Sequence, residues 1–180
     1  MTLAGRPPAD PADVAVLVDQ VTMRFDDQLA VDGISLVIPA GTILGLSGPS
    51  GAGKTTTIRL LTGVLAPSSG TIRVLGEQPT VFRRQTRERL GYMPQSFTLY
   101  PDLTVRETVD FVGSLFGMMY PSRRRRIREV LQLIELWDVR SRLAVLLSGG
   151  MQRRLYLTCG TVQDPALLFL DAPPPAFHPI

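Results

Sequence analysis

The sequence predicts an α/β fold in which a buried strand leads through a glycine-rich loop into a helix. Residues 42–46, TILGL, form a short apolar run that is typical of such a strand. The glycine-rich stretch 48–53 follows, and Ile58, Leu61 and Leu65 then recur at helical spacing. Because a helix N-terminus carries the positive end of the helix dipole, this order of elements predicts an anion site at the loop.

Composition restricts the classes of protein to which the chain can belong. Its 180 residues, 44% of them apolar, predict one globular domain. The 19 basic and 16 acidic residues leave a net charge of +3, which is too small to predict a nucleic-acid partner. Cys159 is the only cysteine, so an intramolecular disulfide is excluded and a reducing compartment is favoured. No apolar run approaches the length of a membrane span, and we expect a soluble, cytoplasmic protein.

The first residues differ in composition from the rest of the chain. Residues 1–13 contain Pro7, Pro8 and Pro11 among small and polar side chains, so they can bury little apolar surface. We therefore expect a disordered N-terminal tail over 1–13 and one folded domain over 14–180.

Three further strands are predicted outside the loop region. Residues 14–18 and 34–38 are rich in β-branched side chains, and the pair at 32–33, Asp-Gly, is typical of a turn before the second run. Residues 71–75 alternate between apolar and polar types, which indicates a half-exposed strand. Residues 83–89 carry four arginines and are expected to form a solvated surface segment.

A block over about 99–150 is predicted to form a helical subdomain. Thr104 followed by Glu107 is a capping-box pattern at the start of one helix. A second helix is expected to begin near Ser122, with one apolar face made of Ile127, Val130, Leu131 and Ile134. Five arginines, at 123–126 and at 128, occupy much of its other surface. A solvated helix face explains them, and the alternative is a site for anionic lipid or for the acidic patch of a partner.

The loop that follows the predicted strand matches the phosphate-binding pattern G-x-x-x-x-G-K-[ST] at every fixed position. Its glycines allow successive backbone N–H groups to point at phosphate oxygens. Lys54 adds a charge on the β- and γ-phosphates, and Thr55 offers a hydroxyl to Mg²⁺. The strand-loop-helix context disfavours the alternative of a glycine-rich turn with an unrelated Lys-Thr pair. The pattern consists of Gly48, Pro49, Ser50, Gly51, Ala52, Gly53, Lys54 and Thr55.

A second helix start with the same chemistry lies near the end of the chain. Ser148 is placed as an N-cap, and Gly149 and Gly150 allow an anion to approach the backbone closely. This helix is expected to run past Cys159, which we interpret as a core residue, and to stop ahead of Pro165. Two such helix starts are more than one nucleotide needs.

An apolar run follows that helix. Residues 166–170 are expected to form a fully buried strand, and Asp171 ends it. A carboxylate in that place can support Mg²⁺ beside a phosphate loop.

Taken together, these elements resemble the ATP-binding subunit of ABC transporters, over nearly the whole chain. Gln95 comes 41 positions after Lys54, Ser148 comes 53 after Gln95, and Asp171 comes 23 after Ser148. The resemblance implies a P-loop NTPase parallel sheet with an N-terminal antiparallel β subdomain and a helical subdomain. It also implies ATP and Mg²⁺ as ligands and a separate membrane-spanning permease as partner, at the inner face of the cell membrane.

The resemblance assigns roles to individual residues. Residues 48–56, which include Thr56, become the Walker A loop, and Asp171 becomes the Walker B carboxylate. Phe25 becomes the aromatic that stacks on adenine, although an aromatic near a strand end is more often a core residue. Gln95 becomes the Q-loop residue near Mg²⁺ and the attacking water, with an exposed turn residue as the alternative.

The resemblance also implies how two copies of such a domain assemble. Residues 147–151 become the signature loop, which closes over the ATP of the other domain in a head-to-tail homo- or heterodimer. This accounts for the second phosphate-facing helix start. Met151 and the stretch 99–105 resemble the branch of exporters that move drugs or polymers.

The sequence departs from the family pattern directly after Asp171. The family has a glutamate there as general base, whereas this chain has Ala172 and ends at Ile180. General-base catalysis contributes about 10² to 10⁴ in rate, so ATP binding could survive while turnover falls. The prolines at 173–175 cannot supply a helix or a central strand, and we expect missing C-terminal strands to leave a gap in the parallel sheet. His178 is expected to be an exposed residue without a catalytic role.

The sequence therefore leaves three functions open. The first is the ATP-binding component of an exporter, with impaired hydrolysis. The second is a regulatory module that binds ATP without turnover, or an inert truncated fragment. The third is a non-transport ATPase of the same superfamily, which is disfavoured because such proteins usually carry tandem ATPase domains or long coiled-coil insertions.

Overall fold

The structure is a computed structural model and describes residues 13–94 and 100–171. The chain divides into two compact units, with the division between Arg87 and Glu88. Residues 1–12, 95–99 and 172–180, on which part of the predicted tail, Gln95 and Ala172 fall, lie outside the described residues. Asp13 of the predicted tail is described and directly precedes the first strand.

The first unit is built on a three-stranded antiparallel sheet. Its strands are β1 (Val14–Phe25), β2 (Gln28–Pro39) and β3 (Ser69–Val74), and β1 lies in the middle and pairs with both neighbours. The three predicted strands are thus confirmed, and the first two are longer than the sequence indicated. Helix α1 (Lys54–Leu61) belongs to this unit as well.

One predicted turn in this sheet is wrong. The chain reverses at Asp26 and Asp27, whereas Asp32 and Gly33 lie inside β2. Gly33 has φ +52° at a point where the pairing of β1 with β2 shifts register. A bulge needs a residue that tolerates this conformation, so an Asp-Gly pair is as suited to a bulge as to a turn.

The predicted strand at 42–46 is not present either. Residues 42–49 belong to no strand, and the side chain of Ile43 is fully exposed. A strand forms only where a neighbour satisfies its N–H and C=O groups, and within the described part of the chain no strand pairs with this run. The apolar pattern indicates which residues can be buried, but it does not supply the strand that must lie beside them.

The second unit combines a short parallel sheet with helices. Strand β4 (Leu90–Met93) pairs in parallel with β5 (Leu167–Leu170), so that Met93 lies opposite Leu170. The α/β class, with an antiparallel sheet in one unit and a parallel sheet in the other, is therefore confirmed. The expectation that β5 is fully buried is wrong, because Leu170 is 46% exposed on a strand that pairs only with β4 among the described strands.

Three longer helices surround the core of this unit. They are α3 (Val105–Leu115), α4 (Tyr120–Leu133) and α5 (Gly149–Thr161), and a five-residue helix, α2 (Arg84–Glu88), precedes β4. Short 3₁₀ turns lie at Trp137–Val139 and Ala144–Leu146. The core consists of Val105, Val109, Ile127, Val130, Leu131, Leu136, Ala144, Leu147, Leu155, Cys159 and Val162. The boundaries of the helical subdomain, about 99–150, stay a prediction.

The local helix signals of the sequence are confirmed. The Thr104 hydroxyl accepts the N–H of Glu107, and the Glu107 carboxylate accepts the N–H of Thr104 at 2.9 Å, which completes the capping box. The Thr104 hydroxyl also donates to this carboxylate at 2.7 Å, and this bond, followed by the bond from the Thr104 N–H, holds the pKa of Glu107 below its usual value. Helix α4 begins two residues before Ser122, because Pro121 is tolerated in its first turn. Burial raises the pKa of the Cys159 thiol to about 12, so Cys159 is an inert core residue, as predicted.

The arginines of α4 are only partly a solvated face. Arg124, Arg125 and Arg128 are exposed, as expected. Arg123, in contrast, has a side chain only 15% exposed and donates to Asp110 at 2.8 Å. Arg126 donates to the carbonyl of Val162 at 3.1 Å. These two side chains fasten α4 to its neighbours, which the run of arginines alone could not reveal.

Candidate nucleotide-binding site

The glycine-rich loop lies against the second strand of the first unit. Gly51 and Gly53 have φ +80° and +79°, and Gly53 is the N-cap of α1. A Cβ atom added at Gly53 would lie 2.4 Å from the carbonyl oxygen of Ala30 on β2. Both the backbone conformation and the contact therefore require glycine at position 53.

Gly53→Ala should destabilise the protein clearly more than Gly51→Ala. Both substitutions place a side chain at positive φ, which costs roughly 1–2 kcal/mol. A Cβ at Gly51 meets no described atom within 4 Å, whereas one at Gly53 collides with Ala30, and we expect roughly 1–3 kcal/mol more from that overpacking. Urea unfolding of the two variants measures the difference. Equal free energies of unfolding would contradict the close contact between the loop and β2.

The side chain of Lys54 contacts the glycine-rich loop. It is the first residue of α1, and its Nζ donates to the carbonyl oxygens of Gly48 and Pro49, both at 2.7 Å. Helix α1 has no acidic residue in its first turn and no side-chain cap. The positive end of the helix and the lysine ammonium are thus placed at the same loop without a carboxylate of that turn to neutralise them.

Thr57 anchors the loop, a role that the sequence analysis missed. Its hydroxyl donates to the carbonyl of Gly53 at 2.9 Å, and its backbone N–H donates to the same oxygen at 2.8 Å. Thr57 is buried. A second threonine after the Lys-Thr pair was the available signal, because a hydroxyl one turn into a helix can bond back to the carbonyl four residues earlier.

A cavity of about 350 Å³ borders the loop on the β2 side. Its walls include Val31 and Ser35 of β2 and Gly51 and Lys54 of the loop and helix. The loop is otherwise exposed from residue 47 to 52. The backbone of the loop is therefore open to a ligand rather than packed into the core.

Phe25 is the last residue of β1 and is 42% exposed. This exposure argues against the core alternative, because a core aromatic would be covered. Its assignment to adenine stacking stays a prediction.

The second helix start has the geometry that the sequence predicted. Ser148 is the N-cap of α5, and its hydroxyl accepts the N–H of Met151 at 3.4 Å. Gly149 and Gly150 are exposed, and a Cβ on either would meet no described atom within 4 Å. In contrast to Gly53, the described fold gives no steric reason for these two glycines, and the backbone at the start of α5 is open to solvent there.

Asp171 follows β5 directly at the carboxyl end of the parallel sheet. It is 4% exposed, and its N–H donates to the carbonyl of Met93 at 2.9 Å. Strand β4 ends two residues before Gln95, which lies outside the described residues. The carboxyl end of a parallel sheet is where open α/β folds bind their ligands.

The residues present fit a Mg²⁺-nucleotide, judged within each unit. In the first unit, the open start of α1, the Lys54 ammonium and the hydroxyls of Thr55 and Thr56 are suited to phosphate oxygens. Magnesium prefers oxygen ligands, which Thr55 offers in the first unit and Asp171 in the second. The assignment of these residues as ligands stays a prediction.

A glycine-rich loop at a helix start in one unit, and a buried aspartate directly after a parallel strand in the other, are each typical of a P-loop nucleotide-binding protein. The sequence profile of the family described as "ABC transporter" matches residues 31–174. The chain belongs to the ABC transporter family, and the part of that family that it matches is the ATP-binding subunit.

Its relatives carry names that agree with the predicted exporter branch. The chain is 41% identical to "Nod factor export ATP-binding protein I" of Burkholderia lata, over 88% of this chain and 52% of that protein. It is 39% identical to "Probable multidrug ABC transporter ATP-binding protein YbhF" of Escherichia coli, over 93% of this chain and 29% of that protein. The chain thus spans about half the length of the Nod factor export relatives that it matches.

Solved structures show the same fold. An ATP-binding subunit of an ABC transporter superimposes with a TM-score of 0.77 at 25% identity, over 88% of this chain and 66% of that one. CbiO1 from Clostridium perfringens, part of the ABC transporter complex cbiONQ, gives 0.79 at 25% identity, over 89% and 66%. No helix in the described part of this chain is long and apolar enough to cross a membrane.

Proposed function

We propose that this protein binds ATP and Mg²⁺ and couples ATP binding and hydrolysis to export through a separate membrane-spanning partner, at the cytoplasmic face of the membrane. The observation that carries the proposal is the loop of the first unit, where Gly53 is required by its contact with Ala30 and Lys54 lies over the loop carbonyls. The name of the Nod factor relatives, which refers to export, supports the direction of transport.

Each proposed role follows from the chemistry of the residue. Lys54 leaves the carbonyls of Gly48 and Pro49 and binds the β- and γ-phosphates, which offer it a charged acceptor in place of neutral ones. Thr55 and Asp171 would hold Mg²⁺, which when bound neutralises charge on the phosphates. Gln95 would orient the attacking water, and Phe25 would stack on the adenine. All five roles are proposals.

A second copy of the domain would complete the site. Gly149 and Gly150 leave open space in front of α5, and Ser148 holds the start of that helix in place. We propose that this start closes over the ATP of a second ATP-binding domain, head to tail. One nucleotide needs only one phosphate-facing helix start, whereas this chain is expected to have two, which supports this arrangement.

Ala172 favours a variant of this function in which turnover is slow. An alanine cannot accept a proton from the attacking water, so a general base is lacking at that position unless another residue or a partner supplies it. The second candidate is therefore a module that binds ATP without turnover and modulates an intact subunit. Co-purification with a full-length ATP-binding partner would separate this candidate from an inert fragment.

ATP-dependent dimerisation tests the proposed function. With Mg²⁺-ATP, light scattering should show a dimer of the unmodified protein, and without nucleotide a monomer. Gly150→Val should abolish the dimer while leaving the thermal midpoint nearly unchanged, because its side chain enters open space in the monomer. A dimer that persists in Gly150→Val, or that forms without nucleotide, would contradict the head-to-tail arrangement.

A further inference from the structure

A cleft of about 600 Å³ lies in the second unit, bounded by α3, α4 and the turn that follows α4. Tyr120 and Trp137 form part of its wall. Five arginines line it, against a single lining carboxylate, that of Asp110: Arg106, Arg124, Arg125, Arg128 and Arg140. The cleft is thus strongly basic, although the whole chain has a net charge of only +3.

Asp110, the carboxylate that lines the cleft, and Glu129 on α4 are already bound. Asp110 accepts from the guanidinium of Arg123 at 2.8 Å, and Arg125 is paired with Glu129 at 2.8 Å. Four arginines of the lining have no carboxylate within ion-pair distance among residues 13–94 and 100–171, namely Arg106, Arg124, Arg128 and Arg140. None of these four guanidinium groups is therefore held in an ion pair by the described part of the chain, although, after the hydrogen bonds from Thr104, the charge of Arg106 helps to lower the pKa of Glu107.

Two of these guanidinium groups lie over the ring of Trp137. The guanidinium carbon of Arg128 lies 5.3 Å from the centre of the indole ring, and that of Arg140 lies 4.5 Å from it. The ring attracts each cation through its electron-rich face but carries no net negative charge. An anion in the cleft would interact favourably with both guanidinium groups at once.

The four charges come from several elements. Arg124 and Arg128 are one turn apart on α4 and therefore lie on the same face of that helix. Arg106 lies on α3, and its backbone N–H donates to the carbonyl of Arg140 at 3.0 Å. A ligand that pairs with all four arginines must carry several negative groups along its length rather than one.

We propose that this cleft binds an acidic peptide segment of a partner protein, in which carboxylates alternate with apolar side chains. The carboxylates would pair with the four arginines that make no ion pair, whose planar guanidinium groups match carboxylates in shape. The apolar side chains would pack on Tyr120, which lines the cleft and is 62% exposed. A single phosphate, whether free or in a lipid headgroup, could pair with some of these arginines but not with all of them. It also offers no apolar group to pack on the aromatic wall. None of the residues that line this cleft is among those proposed to bind nucleotide.

Fluorescence anisotropy with a labelled peptide of alternating Glu and Leu tests the proposal. A peptide of alternating Gln and Leu is the uncharged control. Arg124→Gln combined with Arg128→Gln should weaken binding of the acidic peptide about tenfold, because two exposed ion pairs are lost. Arg59→Gln combined with Arg87→Gln removes the same charge from exposed positions outside the cleft and should leave binding unchanged.

A second variant and two alternative ligands complete the test. Because Arg128 also stacks on Trp137, Arg124→Gln alone serves as a second variant, and circular dichroism and Mg²⁺-ATP binding should match those of the unmodified protein. Phosphatidylglycerol vesicles and inorganic phosphate are compared with the peptide as ligands. Equal loss in both double variants, no binding of the acidic peptide, or a dependence on Arg124 and Arg128 for vesicles or phosphate but not for the peptide would each overturn the proposal.

Discussion

Lys54→Ala should weaken binding of Mg²⁺-ATP by about ten- to a hundredfold, since a hydrogen bond to a charged group contributes roughly 1.5–3 kcal/mol. In the unmodified protein the Lys54 ammonium is held at the loop by the carbonyls of Gly48 and Pro49, so it is already placed for phosphate. Isothermal titration calorimetry with Mg²⁺-ATP measures the loss directly.

The matched control lies on the same helix. Arg59→Ala removes a positive charge from the last turn of α1, away from the loop, where the side chain is exposed. We expect its affinity for Mg²⁺-ATP to equal that of the unmodified protein. If Lys54→Ala binds as tightly as Arg59→Ala, the loop is not the phosphate site.

Ala172→Glu should raise the rate of phosphate release by about 10² to 10⁴, with little change in ATP affinity. A carboxylate at this position can accept the proton of the attacking water, whereas alanine cannot. Release of phosphate under saturating Mg²⁺-ATP measures the gain, provided that binding is confirmed in the same sample.

Ala172→Gln separates proton transfer from simple bulk. Glutamine has nearly the size of glutamate and can orient a water, but it is a far weaker base. We expect it to raise the rate much less than glutamate does. Equal gains from both substitutions, or rapid Lys54-dependent release by the unmodified protein, would show that the base is supplied elsewhere.

The parts of the fold that the sequence predicted are those whose causes are local. The bonds between Thr104 and Glu107 join residues within one turn, and so does the bond from Met151 to Ser148. Local chemistry of this kind determines where a helix begins, whichever element packs against it. The strand at 42–46 was mispredicted because a strand depends on a partner far away in sequence.

In the candidate site, too, the sequence predicted the features that depend on neighbouring residues and missed those that depend on residues distant in sequence. The pattern of the loop identified Gly53, but part of the reason for that glycine is its contact with the carbonyl of Ala30 on β2, which no spacing reveals. Likewise, the run of arginines on α4 could not show that Arg123 is bound by Asp110 while Arg124 faces an open cleft. Residue identity predicted the chemistry of these positions, and the tertiary contacts decide which side chains are available for binding.

The measurement that tests the central claim most directly is a titration of the unmodified protein with ATP, with and without Mg²⁺, followed by a phosphate assay on the same sample. We expect saturable, Mg²⁺-dependent binding with slow release of phosphate. Absence of saturable binding in a protein that unfolds cooperatively would contradict the claim that this chain is an ATP-binding domain in function as well as in fold.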